Sequence, residues 1–356
     1  MAKPEPRRLG IINTGGTIGG APRHGVVRTE ARDDAQIRKW ASGTAFEVTH
    51  VHAPFEAMSE NFLPSDWLTI ARSVNDLVET GEVDAVLVLH GTDTMTYTSA
   101  ACSFMLANLP VPVVITGSNR GYDLLGSDGP TNVRAAITAL DRLERGVYVV
   151  FAGRRRVAAA IHVGTRVRKV QAGGTAYSTI GGSPIGAVSD GGIVTIDRPI
   201  GLPVLPPTVE DPLVAPLEVV MATSQPGLDY DVLRRGIEST SEVGGVVIVM
   251  YPSATVSLTS GRHSAVEFAA WCTENRLPVV ATTTTPPLFD LDDYESTRRL
   301  KEAGAVVRTD IMPETAAVKL AWSAAVARAT GLAPLPIFSE QVFGEFSTVK
   351  PPVGRV

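Results

Sequence analysis

The stretch IINTGGTIGG (residues 11–20) joins a short apolar run to a loop in which glycines 15, 16, 19 and 20 surround Thr17. A short apolar run ahead of turn residues has strand character. Glycine permits left-handed angles and close backbone approach, so a loop this rich in it presents amide N–H groups or an exposed side chain. The loop is built to hold something. It also lies where open α/β sheets place their ligands, beyond the carboxyl end of a strand.

Outward from this stretch, the same rhythm repeats. LGIIN and FEVTHVH read as strands, and Trp67, Leu68, Ile70, Ala71, Val74, Leu77 and Val78 fall at helical spacing. AVLVLH, VPVVIT and VYVVF then continue the strands, with helices after GTDTM and DGPTN. Alternation of this kind specifies a parallel α/β sheet. A glycine-rich stretch, 173–192, reads as loops and a hairpin. Residues 197–216, DRPIGLPVLPPTVEDPLVAP, carry six prolines and read as an extended connector. Beyond it LEVVMAT, GGVVIVMY, LPVVATT and AVVRT alternate with helical patterns, ending in a helix from about Pro313. The expectation is two α/β domains. Residues 1–196 form the larger, with a Rossmann-like (flavodoxin-like) parallel sheet, 197–216 the linker, and 217–356 a smaller parallel α/β domain. A chain of 356 residues exceeds the roughly 250–300 at which single cores stop growing, which agrees with that division.

Composition narrows the function classes. A net charge of −5, with Arg154-Arg155-Arg156 as the densest basic cluster, offers no face for a phosphate backbone, so nucleic acid is not an expected partner. Cys102 and Cys272 lie in apolar helical segments and read as buried, reduced thiols, which points to the cytoplasm. MAKPEPRRLG is not followed by an apolar stretch of signal-peptide length, and no window approaches the ~20 apolar residues of a membrane span.

Three polar clusters follow strands: Thr14 to Thr17, His90-Gly91-Thr92-Asp93-Thr94, and Gly117-Ser118-Asn119-Arg120. Alone, HGTDTM reads as a helix cap and Thr17 as a turn residue. Together they are more informative. T-G-G-T-I and H-G-T-D-T-M, in this order and with SDGPTN (127–132), RVRKVQAGG around Lys169 and DIMPETAAVKL (310–320), resemble the signatures of the asparaginase and glutaminase family of amidohydrolases. The likeness covers nearly the whole chain.

That resemblance implies a side-chain amide hydrolase of asparagine-like compounds, without cofactor or metal, assembled as a homodimer or homotetramer. Thr17 would be the nucleophile, forming an acyl-enzyme through Oγ. Thr92, Asp93 and Lys169 would handle protons, with neutral lysine as base and the aspartate orienting or balancing it. A hydroxyl needs such help, together with donors for the developing oxyanion, and the glycine-flanked amides are natural donors. Burial disfavours an ammonium and a neighbouring carboxylate restores it, so the charge state of Lys169 stays open. Ser59 would take a substrate carboxylate, Glu60 and Asp93 its ammonium, and the Ser118 backbone carbonyl would face the leaving amide.

Two departures stand out. The loop GGAPRHGVVRTE lacks the family's tyrosine: Val26 or Val27 falls at its place, leaving His24, Arg28 or Thr29 to substitute. In the second domain, YPSATVSL and TTTTPPLF lack the expected asparagine and acidic residue, which favours a bulkier or differently substituted amide over free asparagine. A non-catalytic, amino-acid-sensing relative is therefore an alternative. Two further readings are open to test. THVH places His50 and His52 on one strand face, as metal sites do. TGGTIGG suggests a dinucleotide, although its spacing does not match G-x-G-x-x-G.

Overall fold

AVLVL (Ala85–Leu89) is buried at all five positions, as are PVVIT (Pro112–Thr116) and GVYVVFA (Gly146–Ala152). Strands without a polar face must be covered on both sides, which is the condition of a parallel sheet between helices. The computed structural model describes the chain apart from residues 1–4, 19, 24–25, 30–33, 122–123, 154–157, 171–175, 199, 241–242, 286–293 and 347–356. At 20–23, 26–29, 34 and 36 it describes backbone only. His24 therefore lies outside the described residues, as does the PPLF half of TTTTPPLF.

The chain divides into two compact units: Met1–Thr179 with Ser183–Leu205 and Val342–Gly344, and Ile180–Gly182 with Pro206–Gln341 and Glu345–Val356. The first runs β1 (Arg7–Asn13), β2 (Gly20–Arg23), β3 (Val26–Thr29), α1 (Asp34–Ala41), β4 (Phe46–His52), α2 (Pro64–Glu79), β5 (Ala85–Leu89) and α3 (Met95–Met105). It continues with β6 (Pro112–Thr116), α4 (Gly129–Leu140), β7 (Gly146–Ala152), β8 (Ala158–Val163), β9 (Val167–Lys169), β10 (Tyr177–Thr179), β11 (Gly186–Ser189) and β12 (Val194–Ile196). Eight of these strands form one sheet in the order β12-β11-β8-β7-β6-β5-β1-β4.

From β7 to β4 every pairing is parallel. The sheet differs from a purely parallel one at its other side, where β8, β11 and β12 pair antiparallel. Only residues 153–157 separate β7 from β8, too few for the crossover that parallel strands require. Strand order also reverses beside β1: the chain steps from β1 to β4, then returns to lay β5 on the opposite side. Ligand crevices of doubly wound sheets open at such a reversal, outside the carboxyl ends of the strands. Here the reversal falls between β1 and β5, whose following loops carry Thr17 and Thr92.

The second unit runs β13 (Glu218–Thr223), α5 (Tyr230–Glu238), β14 (Val243–Met250), α6 (Ala265–Glu274), β15 (Val279–Thr283), α7 (Glu295–Glu302), β16 (Val306–Val307), α8 (Pro313–Thr330) and α9 (Pro334–Ser339). Its four strands pair in parallel in chain order. Within α8, Lys319 is wholly buried with its Nζ 2.5 Å from Glu345 Oε1. Burial pulls this ammonium down to about 8, and the Glu345 carboxylate opposes that shift. No described helix is long and apolar enough to cross a membrane.

Candidate active site

The loop after β1 is shaped by its neighbours. Thr14 donates from N and from Oγ1 to the Leu89 carbonyl, both at 3.0 Å, which ties the end of β1 to the end of β5. Gly15 and Gly16 take φ +91° and +75°, a region that side chains resist. Gly16 N donates to the Ala57 carbonyl at 3.0 Å, and Ala57 N to the Thr14 carbonyl at 3.1 Å. A Cβ added at Gly16 would stand 2.5 Å from the Gly91 backbone, and one at Gly91 would stand 2.5 Å from Ser59 Oγ. Glycine at both positions therefore lets the loops bearing Thr17, Thr92 and Ser59 pack directly on one another. Thr17, next to Gly16, is half-buried.

The HGTDTM loop makes little use of its side chains as caps. Thr94, the residue before α3, makes no capping bond, and its hydroxyl donates instead to the Ser59 carbonyl at 2.8 Å. Lys169, from β9, donates through Nζ to Thr92 Oγ1 and to Asp93 Oδ1, both at 2.7 Å. Its side chain is 17% exposed and that of Asp93 61%, so the amine is sheltered while the carboxylate faces solvent. α3 helps hold β9 in reach, because Ser99 Oγ donates to the Gly164 carbonyl at 2.8 Å, just ahead of that strand. His90 is neutral: burial pulls it down to about 4, and Nδ1 donates to the Gly91 carbonyl at 2.6 Å.

Ser59 is buried in a short turn, Ser59–Asn61, and among the described residues its Oγ has no hydrogen-bond partner. A buried hydroxyl without a partner carries a desolvation cost that a ligand can relieve. Glu60, beside it, is exposed. Ser118 is fully buried, and its single O–H faces two acceptors, Asp128 Oδ1 at 2.9 Å and the Arg120 carbonyl. Asp128 also accepts from the backbone N–H of Asn119 (3.0 Å) and Arg120 (3.1 Å). Asn132 donates to the Gly117 carbonyl at 2.9 Å and accepts from Ala152 N at 2.9 Å. The SDGPTN segment thus clamps the loop after β6 from the start of α4.

Sequence alone singles out none of Asp128, Asn132 and Tyr177 as individual residues. The first two lie inside a quoted motif, whereas Tyr177, whose phenol donates to the Thr92 carbonyl at 2.5 Å, carries no local signal. The THVH histidines lie on the edge strand β4. His50 Nε2 is 3.0 Å from Glu82 Oε2, and no three His, Cys, Asp or Glu side chains converge on a metal-sized site among the described residues.

A hydroxyl, an amine and a carboxylate thus meet beyond the carboxyl ends of the strands of a doubly wound α/β sheet. The family model described as Asparaginase, N-terminal, matches residues 8–200, more than half of the chain, and the chain belongs to the asparaginase family of amidohydrolases. Among its relatives, L-asparaginase of Thermococcus kodakarensis is 33% identical over 328 residues, covering 89% of this chain and 92% of that protein. A component of the glutamyl-tRNA(Gln) amidotransferase of Methanothermobacter thermautotrophicus is 28% identical over 336 residues, covering 90% of this chain and 72% of the relative. The solved structure of the thermostable L-asparaginase from Thermococcus kodakarensis superposes with a TM-score of 0.80 at 30% identity, over 96% of this chain and 100% of that one. L-asparaginase I from Vibrio cholerae superposes at 0.75 with 24% identity over 96% and 99%, a likeness of fold.

Proposed function

We propose that this protein hydrolyses the side-chain amide of asparagine or an asparagine-like compound, releasing ammonia through a threonyl acyl-enzyme. The observation that carries this reading is the placement of Lys169 Nζ at 2.7 Å from both Thr92 Oγ1 and Asp93 Oδ1, on a loop packed through Gly91 against the Gly16–Thr17 turn. In the proposed reaction Thr17 Oγ attacks the amide carbonyl, and its proton passes through the Thr92–Lys169 pair to the departing nitrogen. The C–N bond breaks, ammonia leaves, and water, deprotonated by the same group, cleaves the ester to release the carboxylate and restore the Thr17 hydroxyl. Asp93 balances the charge that Lys169 gains. Backbone N–H groups of the glycine-flanked loops hold the oxyanion, where the loss of one donor costs ~10²–10³ in rate.

The buried Ser59 hydroxyl suits a substrate carboxylate, while Glu60 and Asp93 suit its ammonium. The Ser118 hydroxyl is engaged within its own loop, which leaves its backbone carbonyl for the leaving amide. Free, buried Cys102 and Cys272 support a cytoplasmic location, and the family resemblance supports a homodimer or homotetramer. Relatives named as components of glutamyl-tRNA(Gln) amidotransferase, at 28–32% identity, favour a second reading in which this chain serves as one part of such an assembly.

The test is ammonia release from asparagine, glutamine and larger amides by the purified protein beside Thr17→Ala. We expect turnover by the parent and a loss of at least ~10³-fold in the variant. Full turnover by Thr17→Ala refutes the mechanism. No turnover of any free amide by the parent favours the amidotransferase reading.

A further inference from the structure

β9 and β10 form an antiparallel ladder in which Lys169 stands directly opposite Tyr177. Opposed residues of a ladder project from the same face. Here both reach one loop, Lys169 through the Thr92 hydroxyl and Asp93 carboxylate, Tyr177 through its phenol donating to the Thr92 carbonyl at 2.5 Å. Tyr177 is buried, and its ring packs on Phe151 with centroids 5.0 Å apart. Burial first, then the charges of Asp93 and Asp128, hold its acidity far from the working range, so the phenol keeps its proton and remains a donor. The carbonyl it holds belongs to the peptide joining Thr92 to Asp93. Fixing that plane fixes the torsions on either side, and those torsions aim the Thr92 hydroxyl and the Asp93 carboxylate.

We infer that Tyr177 is a positioning residue of the hydrolytic site, its phenol pinning the Thr92–Asp93 peptide so that hydroxyl and carboxylate both meet the Lys169 amine. This rests on the amidohydrolase reading above. The turn after β1 contains no tyrosine between Ile18 and Glu30, so this phenol reaches the site's loops from a different element. It touches backbone, not the reacting atoms, and its effect falls on the chemical step rather than on substrate capture.

Tyr177→Phe removes only the O–H and keeps the ring on Phe151. Tyr148→Phe is the matched control, a buried tyrosine whose phenol reaches only to 3.5 Å from the Arg145 carbonyl. Steady-state ammonia release and deuterium uptake by the peptide covering residues 90–96 are measured for parent and both variants. In Tyr177→Phe, kcat should fall about tenfold or more with KM held within about twofold. Uptake should rise over 90–96 alone, and the control should change neither. Unchanged kcat with unchanged uptake overturns the inference. So does a rise in uptake across the whole N-terminal unit with kcat and KM lost together, which marks general packing. A parent that releases no ammonia defeats the amidohydrolase reading alone. Uptake over 90–96 then decides the tether, a local rise in Tyr177→Phe supporting it and no rise refuting it.

Discussion

Gly16→Ala probes the contact that brings the loops bearing Thr17 and Thr92 together. Gly16 has φ +75°, and Gly81, on a surface turn, has φ +71°, so alanine pays a left-handed penalty of ~1–2 kcal/mol at either site. The two differ in space. An added Cβ meets nothing within 4 Å at Gly81, whereas at Gly16 it stands 2.5 Å from Gly91 Cα and N, well inside the 3.4 Å at which ordinary contact begins. The loops must part by about 1 Å to admit it, and overpacking of this kind costs a further ~1–3 kcal/mol. Gly16→Ala should therefore lose ~2–5 kcal/mol in urea unfolding and Gly81→Ala only ~1–2 kcal/mol, both at unchanged m. A displacement near 1 Å at reacting groups costs ~10² in rate, so kcat should fall about a hundredfold in Gly16→Ala and hold in Gly81→Ala. Equal destabilisation and equal kcat in the two variants would refute the close approach and the reasoning built on it.

Two predictions concern stability away from the reaction. Lys319→Met takes the ammonium away from the buried Glu345 carboxylate and should cost ~3–5 kcal/mol in urea denaturation, while Lys319→Met with Glu345→Leu should recover most of that loss; a double variant as unstable as the single one contradicts the pairing. His90 and His162 are both buried, and burial pulls each down to about 4 from the 6.5 it has in the unfolded chain. Between those values the unfolded chain binds protons that the folded chain does not, so stability is full above pH 6.5 and declines as pH falls toward 4. The loss is roughly 3 kcal/mol for each histidine. Urea midpoints measured from pH 7.5 to 4.5 should therefore decline, most steeply below pH 6, and replacing His162 with a neutral isostere such as Gln should flatten the slope.

Much of this protein is written locally. Uninterrupted apolar runs such as AVLVL can only be the inside of a covered sheet, and the spacing of Leu68, Ile70, Ala71, Val74 and Leu77 can only be one buried helix face. Glycines after β1 mark a turn with unusual angles, which Gly15 and Gly16 adopt. These signals arise from periodicity and turn chemistry within a few residues, so they survive without knowledge of the rest. Other features depend on residues far apart in the chain. Lys169 meets Thr92 across 77 positions because β9 is held under α3, and Tyr177 meets it across 85 through the register of a hairpin. The antiparallel edge of the large sheet and the contact of Gly16 with Gly91 have the same origin. Each is a choice among partners made by packing through space, and no stretch of sequence carries its own partner's address.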